Sequence, residues 1–238
     1  MLKKFLQTNA EKINLTFDAI QLEKFETFYR RVIEWNEKIN LTAITDEKEF
    51  AIKHIIDSLT IFDEKIFAKV KKIIDVGTGA GFPGIPIKIF CPEVEIILLD
   101  SLAKRVEFLK KIVEELEIKK VACIHGRAED FAKQKTYREQ FDLATSRAVA
   151  RLNILSEYCL PFVKIGGKFI AMKGKNFSDE VTEATNAIKI LGGGEIKISK
   201  KILPEIMEER AIIYVEKISS TQKKYPRKAG TPVKNPLA

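Results

Sequence analysis

The chain has 238 residues, enough for one α/β domain with a modest helical addition. Hydrophobic residues make up 45% and charged residues 31% of it, proportions that exclude a disordered or fibrous protein. The net charge of +8 favours polyanionic partners, since lysine and arginine neutralise phosphates, although basic proteins that never meet nucleic acid share such a surplus.

Residues 1–65 are predicted to form an N-terminal helical subdomain. Between Asp18 and Asn40, apolar side chains recur every three or four residues, which places them on one face of a helix. A second helix is predicted to follow Asp46, which has capping-box spacing to Glu49, and to run to Leu59.

From Lys71 onward, short apolar runs alternate with helical stretches, which predicts a mostly parallel sheet covered by helices. Seven strands are predicted, at Ile73–Val76, Glu95–Leu99, Val121–Ile124, Leu143–Thr145, Lys168–Met172, Glu195–Ile198 and Ala211–Val215. No convincing helix separates the last two, so they are predicted to form a hairpin with one antiparallel strand near the sheet edge. This pattern is the Rossmann-like class I methyltransferase variant of the doubly wound fold, and we assign it to residues 66–218.

The cysteines and the N-terminus favour a reducing, aqueous environment. Cys91, Cys123 and Cys159 are far apart and form no Cys-x-x-Cys pair, so neither a disulfide framework nor a metal site is predicted. The first residues lack the apolar stretch of a signal peptide, and no run of about 18 apolar residues occurs. We therefore predict a cytoplasmic protein without a membrane partner.

A glycine-rich turn follows the first predicted strand, where doubly wound folds bind nucleotide-like ligands. Its glycines are Gly77, Gly79, Gly81 and Gly84. The last three satisfy the dinucleotide fingerprint, which leaves a nicotinamide-dependent oxidoreductase open. Asp75, two residues before the first glycine, instead resembles the first motif of methyltransferases that bind S-adenosyl-L-methionine, where an acid helps hold the methionine end. Pro83 also removes an N–H that a diphosphate would use, so the methyl donor is favoured.

Two further segments follow the second and third predicted strands. Asp100 lies about 20 residues after the glycines, where an acid binds ribose hydroxyls of either cofactor. A helix-capping or solvent-facing aspartate is the alternative. Gly126–Asp130 lies where these folds contact adenine, but an ordinary helix start with Glu129 near the positive end of the dipole is equally open.

Taken in order, the motifs resemble one family, the bacterial 16S rRNA guanine-N7 methyltransferases, also called glucose-inhibited division protein B. The segments that carry the resemblance are Trp35-Asn36-x-x-x-Asn40-Leu41-Thr42, His54-x-x-Asp57-Ser58, Asp75 to Pro86, Leu98 to Arg105, Arg127-Ala128-Glu129, Ser146-Arg147-Ala148 and Tyr225-Pro226-Arg227-Lys228-x-Gly230-x-Pro232. The resemblance extends over nearly the whole chain. It implies methyl transfer from S-adenosyl-L-methionine to N7 of one guanine in 16S rRNA, within the small ribosomal subunit or an assembly intermediate.

The resemblance also implies roles for individual residues. Gly77 and Phe82 would contact the donor, Ala128 and Glu129 its adenine region, and Arg147 the bound donor or the catalytic face. Position alone agrees for Arg147, which follows the fourth predicted strand, although a surface ion pair is the alternative. No Asn-Pro-Pro-Tyr motif or Pro-Cys nucleophile is present. An N7 acceptor fits this, because it carries no proton and needs no general base.

Two features stand apart from the donor motifs. His54 and Asp57 lie three residues apart on one helical face, as a catalytic or metal pair would, but a histidine fixed by hydrogen bonds between the helices and the sheet is favoured. Residues 219–238 form a basic tail with three prolines and no acid. We predict that it contacts rRNA phosphates as a semi-extended arm, with a solvated terminus as the alternative. Its basic residues are Lys223, Lys224, Arg227, Lys228 and Lys234.

Overall fold

The computed structural model describes residues 1–237, and its N-terminal part is helical, as the sequence predicted. Its elements are α1 (Leu2–Glu11), α2 (Ala19–Asn36), α3 (Glu47–Phe50), a π-helical turn (Ala51–Ile56), α4 (Asp57–Leu59) and α5 (Glu64–Phe67). Helix α2 begins at a capping box formed by Asp18 and Gln21. It ends four residues before the predicted Asn40, because the Asn36 side chain accepts hydrogen bonds from the backbone of Leu41 and Thr42. Helix α1 was missed.

A seven-stranded sheet follows, in the order β3-β2-β1-β4-β5-β7-β6. The strands are β1 (Lys72–Val76), β2 (Glu95–Asp100), β3 (Val121–His125), β4 (Phe141–Arg147), β5 (Val163–Lys173), β6 (Gly193–Ile202) and β7 (Glu209–Lys217). Strand β7 is antiparallel to both of its neighbours, which confirms the predicted hairpin and the single reversed strand. The strand order reverses between β1 and β4, and this switch point is where such sheets open a crevice for ligands.

Helices cover both faces of the sheet. Those that follow β1 are α6 (Gly84–Phe90), α7 (Ala103–Glu115), α8 (Ala128–Phe131), α9 (Leu152–Cys159), α10 (Ser178–Ile190) and α11 (Thr231–Lys234). On one face, Phe28 of α2 packs in the same core as Ile73 and Ile96 of the sheet. Burial of each such side chain stabilises the fold by roughly 1.5–3 kcal/mol. The N-terminal helices therefore stabilise the sheet directly.

Three further observations concern the helices, the residue types that bind metals, and the cysteines. Among residues 1–237, every helix is too short or too polar to cross a bilayer. The same stretch holds no group of three or more His, Cys, Asp or Glu side chains arranged for a metal ion. The three cysteines are free thiols, and burial raises the pKa of both Cys91 and Cys123 to about 11.

Candidate active site

The glycine-rich turn leaves the sheet at the end of β1. Gly77, Gly79 and Gly81 have φ values of 71°, 60° and 99°, a backbone region that favours glycine. Beneath the turn, the buried Asp75 Oδ2 accepts hydrogen bonds from Thr78 Oγ1 at 2.6 Å and from the Gly84 amide at 2.8 Å. The carboxylate thus holds the turn in the shape that exposes its backbone.

The other oxygen of Asp75 is unusual. Among residues 1–237, Asp75 Oδ1 is fully buried and has no hydrogen-bond partner. Burial raises the pKa of this carboxyl to about 7, against the lowering effect of the Thr78 hydroxyl and the Gly84 amide. An unpaired buried acceptor costs free energy, so a nearby cationic ligand group or water would be stabilising. Asp75 lines none of the cavities described below, and its direct contact with a donor stays a prediction.

Three cavities lie side by side along the carboxyl edge of the sheet, in strand order. The β3-side cavity, of about 210 Å³, lies between Gly77 and Glu129. The central cavity, of about 440 Å³, lies over the glycine turn. The β5-side cavity, also about 440 Å³, lies between Asp57 and Met172. Neighbouring cavities share lining residues, which are Gly77, Asp100, Ser101 and Val149 for the first two, and His54, Arg147 and Ala148 for the last two. The row therefore forms one groove.

The predicted adenine-region residues lie in the β3-side cavity. Ala128 and Glu129 begin α8 just after β3, and both side chains are buried. Glu129 Oε1 accepts a hydrogen bond from the backbone N–H of Gly230 at 3.0 Å. Tyr158 and Val233 complete the wall. The structure thus brings Ala128 and Glu129 into one cavity with Gly77 and Asp100.

Asp100 ends β2 at the boundary between the β3-side and central cavities. Its Oδ2 accepts a hydrogen bond from the Gly79 amide at 2.8 Å, and its Oδ1 accepts one from the Leu102 amide at 2.9 Å. Each carboxylate oxygen keeps a second lone pair that can accept a ligand hydroxyl. Asp100 therefore orders the turn and the start of α7 while it lines the groove, so both interpretations of this residue fit the structure.

Arg147 ends β4 at the boundary between the central and β5-side cavities. Its guanidinium lies 5.0 Å from the centre of the Phe82 ring. Nη1 donates to Asp57 Oδ2 at 2.9 Å and to the Lys53 carbonyl at 3.1 Å. The second oxygen of Asp57 accepts a hydrogen bond from Arg210 Nε at 3.2 Å. Burial raises the pKa of Asp57, and the two guanidiniums counteract that shift. Arg147 thus belongs to a buried ion cluster rather than to a surface pair.

His54 joins this cluster from the π-helical turn. Burial, together with the charge of Arg147, lowers the pKa of His54 to about 3, so the ring is neutral at pH 7. Its Nδ1 lies 3.2 Å from Arg147 Nη2, and its Nε2 lies 2.7 Å from Thr42 Oγ1. We assign the proton to Nε2, because the guanidinium can only donate. The ring also stacks on Phe82 at 4.4 Å, so His54 is held between the N-terminal helices and the sheet, as the sequence favoured.

The basic tail packs on the protein surface instead of extending from it. Tyr225 is buried, and a short helix, α11, follows Gly230. Arg227 Nη2 donates to Glu157 Oε2 at 2.6 Å, and only 20% of the Arg227 side chain is exposed. The lysines of the tail are all exposed, namely Lys223, Lys224, Lys228 and Lys234. RNA contact by the five basic residues stays a prediction.

The sequence analysis did not single out several lining residues, among them Tyr158, Arg210 and Val233. Tyr158 lies on α9, Arg210 is the second residue of β7, and Val233 lies in the tail. Arg210 heads the last predicted strand and Val233 directly follows the tail motif, and these were the available signals. Neither signal says which cavity the side chain reaches, because that depends on how the chain returns to the sheet.

A seven-stranded sheet with one reversed strand, a glycine turn at its switch point and a groove along its carboxyl edge define a Rossmann-like methyltransferase. A family model described as rRNA small subunit methyltransferase G matches residues 21–213, and the chain belongs to this family. Both the predicted fold and the predicted family are therefore confirmed.

Individual relatives agree with this assignment. The chain is 50% identical over 217 residues to the ribosomal RNA small subunit methyltransferase G of an Exiguobacterium species, which covers 91% of each chain. It is 51% identical to the protein of that name from Desulfitobacterium hafniense, over 95% of this chain and 94% of the relative. Among solved structures, an O-methyltransferase from Bacillus cereus in complex with SAH covers 91% of this chain and 100% of its own at a TM-score of 0.57. At 14% identity, that likeness shows the fold alone.

Proposed function

We propose that this chain transfers the methyl group of S-adenosyl-L-methionine to N7 of one guanine in 16S rRNA, in the cytoplasm, within the small ribosomal subunit or an assembly intermediate. The observation that carries the proposal is the row of three cavities with Arg147 between the last two. One elongated ligand fits the β3-side and central cavities, which leaves the β5-side cavity for a second ligand.

The first two cavities suit the donor. Ala128 and Glu129 would hold the adenine end, and Asp100 would bind the ribose hydroxyls through its free lone pairs. Gly77 and Val149 line both cavities, and a Cβ on Gly77 would lie 2.5 Å from Val149, so a side chain at this position would displace part of the cavity wall. The unpartnered oxygen of Asp75 supplies negative potential behind the turn, toward a cationic methionine end. When bound, the donor supplies an electrophilic methyl group on a sulfonium.

The β5-side cavity suits a single base that has left its stack. Enzymes that modify a base extrude it into a closely fitting pocket, and this cavity is lined by Ile44, Met172 and Ala148 on its apolar side. Arg147 has N–H groups beyond those bound to Asp57, Lys53 and His54, and these can orient guanine through O6 while N7 stays open.

For this reaction, the protein mainly has to position the two ligands relative to each other. Guanine N7 carries a lone pair and no proton, so no side chain has to act as a base. His54 is suited to this, because a ring with a pKa of about 3 is a weak base and stays neutral beside Arg147. The rate would arise mainly from holding N7 at the boundary of the central and β5-side cavities, where the two ligands meet.

The test uses small ribosomal subunits from a strain that lacks the corresponding gene. The purified protein and methyl-labelled S-adenosylmethionine are added, and the label is mapped by strand cleavage specific for N7-methylguanine. We expect label at a single guanine of 16S rRNA. Measurable donor binding without label in 16S rRNA would overturn the substrate, and no donor binding would overturn the cofactor. Arg147→Lys keeps a cation beside Asp57 and should retain the fold, but it loses the planar guanidinium donors and should strongly reduce the label.

A further inference from the structure

The last described residues lie against the β3-side cavity. Val233 of α11 lines its wall, and the Gly230 amide donates to Glu129 Oε1 on that wall. We propose that residues 225–237, the C-terminal strap, are part of the donor site: the strap closes the adenosine end of the groove and holds the Glu129 carboxylate in its binding position. This inference rests on the donor assignment of the proposed function.

The strap is attached at both ends by specific contacts. At its start, the Arg138 guanidinium donates to backbone carbonyl oxygens, and the partners are Thr221 at 2.6 Å, Gln222 at 3.2 Å and Tyr225 at 2.9 Å. Near its end, Asn153 Nδ2 donates to the Leu237 carbonyl at 3.3 Å. A terminus with such contacts has a defined position, unlike a solvated arm.

The central anchor is the Glu157–Arg227 pair. Glu157 is fully buried on α9, and Arg227 binds both of its oxygens, with Nε at 2.9 Å from Oε1 and Nη2 at 2.6 Å from Oε2. The Arg227 amide also donates to Oε1 at 2.7 Å. A buried carboxylate that loses such a partner is strongly destabilised, so the pair holds the strap firmly in place. The next residue on α9, Tyr158, lines the same cavity as Val233.

These contacts connect the strap to the donor in two ways. Val233 is 58% exposed and provides apolar surface that a bound adenosine group would cover. The Gly230 amide restricts the Glu129 carboxylate before the ligand arrives, which lowers the entropy cost of binding. Because both effects exist only when the strap is in place, donor binding must in turn stabilise the strap.

The first measurement is the calorimetric affinity of three variants for S-adenosylhomocysteine. Arg227→Met removes the central anchor and should weaken binding by about tenfold or more, while Val233→Asn, which touches no anchor, should weaken it by about threefold. Lys189→Asn is the matched control, since Lys189 is exposed on α10 and lines none of the three cavities, and it should bind within about twofold of the wild type. The KM for S-adenosylmethionine should rise in the same order, with kcat at saturating donor retained. If the strap affected only the stability of the fold, KM would not rise while kcat stayed unchanged.

The second measurement needs no variant, so it holds even if Arg227→Met does not fold. Trypsin cleavage of the wild-type protein after Lys228 should slow when S-adenosylhomocysteine is saturating, and cleavage after the exposed Lys69, ahead of β1, should not. Normal affinity in a folded Val233→Asn variant, with no protection at Lys228, would overturn the strap inference. Wild-type protein that binds no S-adenosylhomocysteine would instead overturn the proposed function, and this inference with it.

Discussion

Asp75 shows how one buried side chain can fix the shape of the glycine turn. It is fully buried, yet the two hydrogen bonds that shape the glycine turn go to the same oxygen. A Cβ on Gly84 would lie 2.7 Å from that oxygen and would overlap Leu98, so the turn and the carboxylate are packed against each other. The sequence predicted that Asp75 helps hold the donor, but it did not predict that Asp75 lies behind the turn, because burial depends on the packing of α6.

We expect the stability contributed by Asp75 to depend on pH. Burial raises its pKa from 3.8 to about 7 on folding, so between these values the folded chain retains a proton that the unfolded chain releases. Stability then falls as pH rises through this range, by up to about 1.4 kcal/mol per pH unit, and is level above it. Asp75→Asn keeps an acceptor for Thr78 and Gly84 but cannot titrate. The difference in urea unfolding free energy between wild type and variant should therefore decrease from pH 4 to pH 7.

The matched control for this prediction is Asp130→Asn. Asp130 is an exposed carboxyl at the start of α8, on the same edge of the sheet. A decrease of the same size in this variant would show that the trend belongs to carboxylates in general. If the unfolding free energies of wild type and Asp75→Asn change in parallel from pH 4 to pH 8, the assignment to Asp75 is wrong.

At the scale of elements, the sequence was sufficient to locate every strand. Apolar runs of three to five residues stand out between polar helices, and the bounds predicted for β1, β2 and β3 differ from the observed ones by one residue at most. Helix α1 was missed because its start was considered only as a signal peptide, although Leu2, Leu6 and Ala10 have helical spacing. The π-helical turn was missed as well, since three- and four-residue spacing does not distinguish it from an α-helix.

The spacing of residues along the sequence could not predict contacts between elements that are far apart in the chain. Asp57 and Arg147 are 90 residues apart, and Asp57 and Arg210 are 153 residues apart. The tail was predicted as a semi-extended arm for the same reason, because Glu157 lies 70 residues before Arg227. A single sequence carries no signal that two such charges meet in a buried position, so the ion cluster and the strap came only from the structure.

We expect the ion cluster to be essential for joining β4, β7 and the N-terminal helices. Asp57→Ala would leave the guanidinium of Arg147 buried without a carboxylate, which typically costs about 3–5 kcal/mol, whereas Arg210 keeps its ion pair with Glu208 at 2.9 Å. The additional change Arg147→Met should restore part of the loss, because it removes the charge that Asp57→Ala leaves unpaired. Urea unfolding followed by circular dichroism measures both variants.

An exposed ion pair provides the comparison for this loss. Arg151 and Glu183 are 2.6 Å apart and about half exposed, so Glu183→Ala should cost less than about 1 kcal/mol. Equal losses for Asp57→Ala and Glu183→Ala would mean that burial of the cluster contributes nothing. If stability does not recover on adding Arg147→Met to Asp57→Ala, the argument from an unpaired buried charge is wrong.

At the scale of the whole molecule, the basic residues of the tail, which contribute to the net charge of +8, fall into two groups with different roles. Arg227 is engaged with Glu157, whose neighbour Tyr158 lines the β3-side cavity. The tail lysines are exposed. The tail thus combines a structural role near the β3-side cavity with a predicted electrostatic role toward RNA, and substitutions can separate the two because different residues carry them.

Changing the four tail lysines to glutamine should therefore affect RNA binding alone. The variant replaces Lys223, Lys224, Lys228 and Lys234. The measurement is the slope of log affinity for a 16S rRNA fragment against log salt concentration. Its magnitude should decrease by up to about 3, because each lost phosphate contact accounts for roughly 0.7. Affinity for S-adenosylhomocysteine should stay within about twofold of the wild type, since Arg227 is intact. The control removes equal charge near the amino ends of β1 and β3, at Lys65, Lys69, Lys71 and Lys119. An equal drop in slope for both variants would show that only net charge matters and would contradict an RNA-contacting tail.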